Sequence, residues 1–508
     1  MAQDLHPTAE AADDDARYLA LAARDARFDG RFFTGVTSTG IYCRPVCRVR
    51  TPRRENCRFF THAAQAEQAG FRPCLRCRPE LAPAARTWSA EDAGPILAAQ
   101  ALQWLDQPDA WPGAVPTVRA LAQRLGVSER HLRRVFERHL GVSPLQHLQT
   151  RRLLCAKQLL ADTALPVAEV AWISGFPSAR RLQAAFATHY GLSPTALRRS
   201  DPAAPRSSGH GVRLRLGWRP PYDIAALQGF LAQRAVPGVE AVDDTHGLTL
   251  RRGLALPHPR GGECLGWLQA RFDAARCELV AEVSDGLLHA LPAVIARLRA
   301  VFDLDADPEA IDAVLRPGFS GGAGLRVPGS FDGFELAVRA VLGQQITVAA
   351  ARTLASRLVR AFGRPLQTPW PEVHTLFPTA AALAEADGAA LGALGVVRQR
   401  QQALRALSRA VADGRLALHP GAPVEATVAQ LQALPGIGAW TAQVIAMRAL
   451  RWPDAFPAGD LALHAALGLR QNPQPARAAE AAAQAWRPWR SYAVLRAWAG
   501  HARQPHTF

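Results

Sequence analysis

Two cysteine pairs restrict the fold of this 508-residue chain more than any other feature: Cys43/Cys47, spaced C-x3-C, and Cys74/Cys77, spaced C-x2-C. Four thiolates so placed can enclose one tetrahedral zinc, and a metal gripped from both ends of a short segment imposes a small stapled domain around itself. Cys57 lies between the pairs without a partner spacing and stays outside the ligand set. Cys155, Cys264 and Cys277 are scattered and read as buried small hydrophobes. A tight cluster of this kind reads as a metal site before it reads as disulfides. Residues 1–15 read as a leader and 16–85 as the metal-stapled domain. A zinc with no task beyond holding the fold would satisfy the same spacing.

The formal net charge of +16 suits a polyanionic partner, which on charge alone is nucleic acid or an acidic membrane surface. Arg or Asp interrupts every apolar run before it could span a bilayer. The acidic N-terminal stretch MAQDLHPTAEAADDD has no hydrophobic centre and is no secretory signal. These features predict a cytoplasmic, nucleoid-associated protein with no membrane partner. Lys157 is the single lysine, so nearly all the positive charge is arginine. No amine for Schiff-base chemistry therefore exists after residue 157.

From 90 to 200 the apolar residues recur at three- and four-residue spacing, the period of helices. The segment contains a repeat. VRALAQRLGVSERHLRRVFERHLGVSP and VAEVAWISGFPSARRLQAAFATHYGLSP share the order apolar helix, Gly turn, Ser, basic helix, Gly, Ser-Pro. A Gly in the turn and a Ser capping the next helix are what a helix-turn-helix requires. Arg130, Arg133 and Arg134 in the first unit, and Arg180 and Arg181 in the second, suit a major groove lined with phosphates. Two helical hairpins with solvated charged faces would give the same pattern. Residues 200–211, SDPAAPRSSGHG, read as a linker.

The stretch FDGRFFTGVTSTGIYCRPVCRVRTPRREN to AGFRPCLRCRPE resembles the N-terminal domain of the Ada family of DNA-repair and regulatory proteins. The resemblance implies that Cys43, held by zinc with Cys47, Cys74 and Cys77, accepts a methyl group from a methylphosphotriester in DNA. The following repeat resembles the AraC family of regulators, which implies promoter DNA and RNA polymerase as partners. The Pro-Cys-His-Arg motif of the methyltransferase domain that usually follows in Ada proteins does not occur, so no repair of O6-methylguanine is expected.

After the linker, VRLRLGW alternates as a strand should, and LTLRRGLAL and CELVAEV suggest further strands, giving an α+β unit over 212–290. Residues 291–508 return to an Ala/Leu-rich helical pattern. LPGIGAWTA, Leu434 to Ala442, is a helix-hairpin-helix signature: Gly436 and Gly438 permit a tight turn whose backbone N–H groups can approach a phosphate. FPAGD follows, ending in Asp460, which without the hairpin would read as an ordinary loop or helix-capping aspartate; Asp454 nearby has no motif behind it.

Together with WRPPYDIAALQGFLAQRAVPGVE, LRVPGSFDGFELAVRAVLGQQIT and WRPWRSYAVLRAW, these residues resemble the 3-methyladenine DNA glycosylase II (AlkA) family of the helix-hairpin-helix superfamily. The resemblance implies Asp460 as the catalytic carboxylate and Trp440 and Trp498 as base-pocket walls, with core packing the competing role for both. It places Gln345 where a side chain fills the gap left by a flipped base. Two pocket positions that can be aromatic in the family are Val444 and Leu461 here. Backbone carbonyls around Gly436 to Gly438 correspond to a site for a monovalent or other metal ion. Trp440 stands where lyase members carry lysine, so hydrolysis without strand cleavage is expected.

The predicted fold class is multidomain and mainly α with α+β parts. It comprises a zinc-binding domain, an AraC-type helical domain, an α+β AlkA N-terminal domain and an all-α glycosylase domain. The predicted function is excision of 3-methyladenine and related bases from alkylated double-stranded DNA by a monomer, with Cys43 as a methylation sensor switching transcription. The alternative is a methylation-activated AraC-type regulator whose glycosylase-like half binds DNA but is inactive.

Overall fold

The computed structural model describes residues 9–84, 93–106, 111, 116–199, 211–243, 245 and 247–503. Most of the expected linker, 200–211, lies outside the described residues. The chain forms two compact units. The first comprises Met1–Leu105, Val115–Pro220 and Asp273–Leu279; the second comprises Asp106–Ala114, Pro221–Phe272 and Val280–Phe508.

The first unit opens with a helix over Ala9–Ala22, so the expected leader is structured from residue 9. Its acidic residues have partners: Asp15 meets Arg54 at 2.8 Å and Arg17 reaches Asp13 at 2.5 Å. A four-stranded sheet follows, in the order Cys57–Phe60, Phe33–Val36, Ile41–Cys43, Arg72–Pro73. Tyr42 is fully buried among Phe33, Ala66 and Phe71. That anchor plants Cys43 at the end of its strand, and the short Arg72–Pro73 strand beside it delivers Cys74.

The repeated segment folds as two helix pairs, Val118–Arg124 with Glu129–Leu140 and Val167–Ile173 with Ala179–Tyr190, joined by the long helix Pro144–Asp162. Ser128 and Ser178 cap the second helix of each pair, their hydroxyls accepting from the backbone N–H of His131 and Arg181. Gly141 and Gly191 end those helices in the left-handed conformation, at φ 65° and 62°. Leu132, Val135 and Phe136 in one, and Leu182 and Phe186 in the other, form the buried stripe.

The zinc-domain segment packs on these helices through polar contacts. Gln65 donates to the Leu140 carbonyl at 3.0 Å, at the C-terminus of Glu129–Leu140. Lys157 Nζ meets Glu80 at 2.6 Å, and Arg78 bridges Glu80 at 3.0 Å and Asp162 at 2.6 Å, all four side chains at least 94% removed from solvent. Glu67 accepts from Thr150 Oγ1 at 2.9 Å and from the Tyr42 hydroxyl at 3.0 Å. Burial pushes the Glu67 carboxyl up to about 7, against the pull of those hydroxyls and of the Lys157 ammonium.

Because the native state then holds the Glu67 proton more tightly than the unfolded chain, its contribution is full below the unfolded pKa near 4.5 and is lost as pH rises through 7. We expect Glu67→Gln, which mimics the protonated form, to be about 2 kcal/mol more stable than wild type at pH 8 and nearly equal to it at pH 5. The figure is reduced from the full shift because the residue keeps some solvent exposure. Denaturant midpoints at the two pH values check this; a difference that does not change with pH would refute it.

In the second unit the strands Glu240–Asp243 and Thr249–Pro257 lie side by side, and Thr249–Pro257 pairs on its other edge with Glu263–Asp273, whose residues through Phe272 belong to this unit. Arg252 of this sheet pairs with Glu240 and with buried Glu335, fixing the helix Gly333–Leu342 against the strands. The remaining helices surround a core that includes Leu336, Val341, Leu358, Leu404, Leu431 and Ile445. Asp303, Arg451 and Tyr492 form a second buried polar tie, with Arg451 on Asp303 at 2.5 Å and the Tyr492 hydroxyl on Asp303 at 2.8 Å. Of the scattered cysteines only Cys264 is fully buried; Cys155 and Cys277 are partly exposed, which corrects the expectation for those two. Cys277 closes a turn after a strand at φ 52°, where a core position is not available.

Candidate functional sites

The sulfurs of Cys43, Cys47, Cys74 and Cys77 all lie within 4.8 Å of one another. Such crowding sets the thiols against each other. Hydrogen bonding to Cys47 pushes Cys43 up, burial pushes Cys77 up, and bonding to Cys43 pulls Cys47 and Cys74 down. Four sulfurs at this separation ionise together only around a cation, and four soft donors at tetrahedral reach are the ligand set of zinc. The cluster is a zinc site. Backbone N–H groups distinguish the sulfurs: that of Arg44 points at Cys77 at 3.3 Å and that of Cys77 at Cys74 at 3.5 Å. Among the described residues no backbone N–H hydrogen-bonds to Cys43 or Cys47, which leaves these two sulfurs the less stabilised as anions. Buried Arg44 pairs with Asp29, while Arg48, Arg50, Arg72 and Arg76 are exposed.

Arg130, Arg133 and Arg134 are exposed on the helix Glu129–Leu140, and Arg180 and Arg181 on Ala179–Tyr190. Arg133 reaches Glu129 at 3.4 Å and Arg134 lies 3.0 Å from His131, contacts within their own helix.

In the second unit, Ile437 is buried and anchors the LPGIGAWTA turn. Gly436 sits at φ 74° with Ala403 3.0 Å from where a Cβ would stand, so both conformation and space call for glycine. Gly438 precedes the helix Ala439–Arg448, with open space on its Cβ side. Asp460 caps the helix Leu461–Ala466, its Oδ1 accepting from the Leu463 N–H at 2.7 Å. Capping is the ordinary role the sequence offered for this residue, and the carboxylate has more contacts than that role needs. Trp440 donates its indole N–H to Oδ2 at 2.8 Å, and Trp498 donates to Oδ1 at 3.0 Å. Sequence reasoning placed both tryptophans near a base, but missed that their N–H groups hold the carboxylate.

The loop before Asp460 is held as well. Gln443 accepts from the Phe456 N–H at 3.0 Å, and His464 Nε2 lies 2.6 Å from the Ala458 carbonyl, which requires the ring nitrogen to donate. Asp454, the neighbour without a motif, is occupied by Arg490 at 2.7 Å and Arg487 at 3.0 Å. Trp440 also packs against the helical core. Of the two other pocket positions, Val444 is buried and Leu461 is 79% exposed beside Asp460. Gln345 is exposed, in a turn after Gly333–Leu342, at φ 54°.

Four family descriptions match the chain. The metal binding domain of Ada matches 16–80 and a helix-turn-helix domain matches 121–200. The AlkA N-terminal domain matches 213–332, and the HhH-GPD superfamily of base excision DNA repair proteins matches 338–491. A probable bifunctional transcriptional activator/DNA repair enzyme AlkA of Mycobacterium tuberculosis is 40% identical over 95% of both chains. The chain belongs to this bifunctional activator/repair family. Its second half is 38% identical to DNA-3-methyladenine glycosylase 2 of Escherichia coli, over 57% of this chain and 98% of that one. Its first part is 37% identical to the bifunctional transcriptional activator/DNA repair enzyme Ada of Escherichia coli, over 29% of this chain and 39% of that one. Family members of this construction bind DNA, and none of the described helices is long and apolar enough to cross a membrane.

Proposed function

We propose that this protein excises 3-methyladenine and related alkylated bases from double-stranded DNA by hydrolysis, and that Cys43 takes the methyl group of a DNA methylphosphotriester to switch promoter binding. The observation that carries the first activity is the Asp460 carboxylate, fixed by three N–H donors one helix after the helix-hairpin-helix turn. Alkylation at N3 or N7 makes a purine cationic and a ready leaving group. The N-glycosidic bond breaks with its electron pair leaving on the base, and water adds at C1′ while Asp460 faces the positive sugar and takes the water's proton. The faces of Trp440 and Trp498 suit an electron-poor base, since both rings are partly exposed while their N–H groups are engaged. Lys157, the single lysine, is buried on Glu80, so no side-chain amine is offered for an imine and the strand stays intact.

The second activity rests on the four-sulfur cluster and the match to the metal binding domain of Ada, with Cys43 among the two sulfurs that no backbone N–H hydrogen-bonds among the described residues. When bound, zinc keeps the four sulfurs as thiolates. Cys43 Sγ, without a backbone donor, attacks the methyl carbon. The S–C bond forms, the C–O bond breaks, and its electron pair returns a negative charge to the phosphate. The site loses one negative charge, so arginines such as Arg48, Arg50, Arg72 and Arg76 then face DNA less opposed. Arg130, Arg133, Arg134, Arg180 and Arg181 are read as groove and phosphate contacts, and RNA polymerase as the partner at the promoter. We place the protein as a monomer on the nucleoid in the cytoplasm. A monovalent cation on carbonyls of the Gly436–Gly438 turn belongs to the same reading.

One incubation tests both activities: wild type with methylated duplex DNA, followed by chromatography of released bases, alkali treatment of the strands and peptide mass mapping. We expect free 3-methyladenine, strands cut only after alkali, and one added methyl on Cys43. Cutting without alkali, or methyl on another cysteine, would overturn the corresponding assignment.

A further inference from the structure

The turn that carries Gln345 is clamped by its neighbour. Gln344 donates its side-chain amide to the Gly436 carbonyl at 2.9 Å and to Thr441 Oγ1 at 2.9 Å, reaching both the hairpin turn and the helix after it. The Gln344 carbonyl accepts from the Arg400 guanidinium of the helix Arg398–Ala412. Holding that carbonyl fixes the plane of the Gln344–Gln345 peptide, the one on which the Gln345 N–Cα bond turns. Gln345 stands at φ 54°, a left-handed conformation that a non-glycine residue keeps only when its surroundings impose it. Its own side chain is exposed, with no hydrogen bond among the described residues. Upstream, the helix Gly333–Leu342 is fixed through Glu335 to Arg252 of the sheet, so the turn is held at both ends.

We propose that Gln344 is a positioning residue: a strut between the phosphate-facing hairpin and the Gln345 turn, which sets the register at which Gln345 enters the duplex when the hairpin engages the backbone. Arg400 completes the strut from the carbonyl side. The strut acts on base extrusion through Gln345 and touches neither the base nor Asp460. The inference rests on the glycosylase reading above.

The test is a double-mutant cycle on single-turnover release of 3-methyladenine from methylated duplex DNA, with wild type, Gln344→Ala, Gln345→Ala and the double variant. If Gln344 works through Gln345, Gln344→Ala lowers the rate about 10- to 100-fold. The double variant then falls no further than Gln345→Ala alone, since the strut has nothing left to place. Gln344→Met, similar in length and uncharged but unable to donate to the Gly436 carbonyl, should match Gln344→Ala. Losses that multiply in the double variant, or a Gln344→Ala rate within twofold of wild type, would overturn the proposal. Absence of base release by wild type would instead remove the glycosylase reading itself, so the two failures are distinct.

Discussion

Replacing Asp460 by asparagine is expected to lower base release about a thousandfold while leaving the fold and the affinity for DNA in place. Asparagine caps a helix as well as aspartate does, so the Leu463 N–H keeps its acceptor. One oxygen can still serve Leu463 and Trp498, but the new amide N–H would face the Trp440 indole N–H, donor against donor. That conflict costs about 1 kcal/mol of stability, too little to unfold the domain. The rate loss comes from the missing charge opposite the developing sugar cation. Binding of undamaged duplex should hold or tighten slightly, since a negative group near the phosphates is gone. If Asp460→Asn releases 3-methyladenine at the wild-type rate, the carboxylate is a cap and nothing more. If neither protein releases any base while both bind DNA, the second half is a recognition module and the chain is a methylation-switched regulator.

Stripping the zinc is expected to disturb far more than the four cysteines. Metal binding supplies on the order of 10 kcal/mol of the folding free energy of small cysteine domains. Without it the sheet carrying Tyr42 and the segment carrying Arg78 and Glu80 lose their staple. The helix Pro144–Asp162 would then keep Lys157 and Asp162 without Glu80 and Arg78, and an uncompensated buried charge costs about 3–5 kcal/mol. Hydrogen exchange on chelated and zinc-loaded protein should therefore show loss of protection in residues 144–162 as well as 33–80. Promoter binding should weaken with it. If 144–162 stays fully protected after chelation, the two parts fold independently and the buried pairs between them contribute little.

The features legible in the sequence were those written in local patterns. Cysteine spacing gave the metal ligands, because a tetrahedral site needs two short-range pairs. Ser128, Ser178, Gly141 and Gly191 marked helix starts and ends, because caps are local chemistry. The long strand Glu263–Asp273 was not foreseen, although it alternates fully, because its inward side includes Cys264, Gly266 and Ala270 while Leu265 and Trp267 face outward. Residues 9–15, the first half of the helix Ala9–Ala22, read as leader because the partner of Asp15 is as distant as Arg54.

Around Asp460 the sequence named the residues that the structure brings together, but not the hydrogen bonds between them. The indole N–H groups reach Asp460 from 20 and 38 residues away, and such pairings leave no trace in spacing. Gln344 was silent for the same reason: its two acceptors lie more than ninety residues downstream. The buried ion pairs were equally invisible, since a lone lysine or glutamate in a helix looks like any solvated charge.

The burial of Lys157 has a consequence for how the molecule meets reactive chemicals. The only side-chain amine is ion-paired to Glu80 and has 2% of its surface exposed, while guanidinium groups stay protonated and unreactive near neutral pH. Acylating agents and aldehydes that normally decorate a protein through its lysines therefore find almost no side chain to attack. The protein thus keeps its positive surface in a chemically inert form, and four of its eight cysteine sulfurs are gathered in one metal-binding cluster.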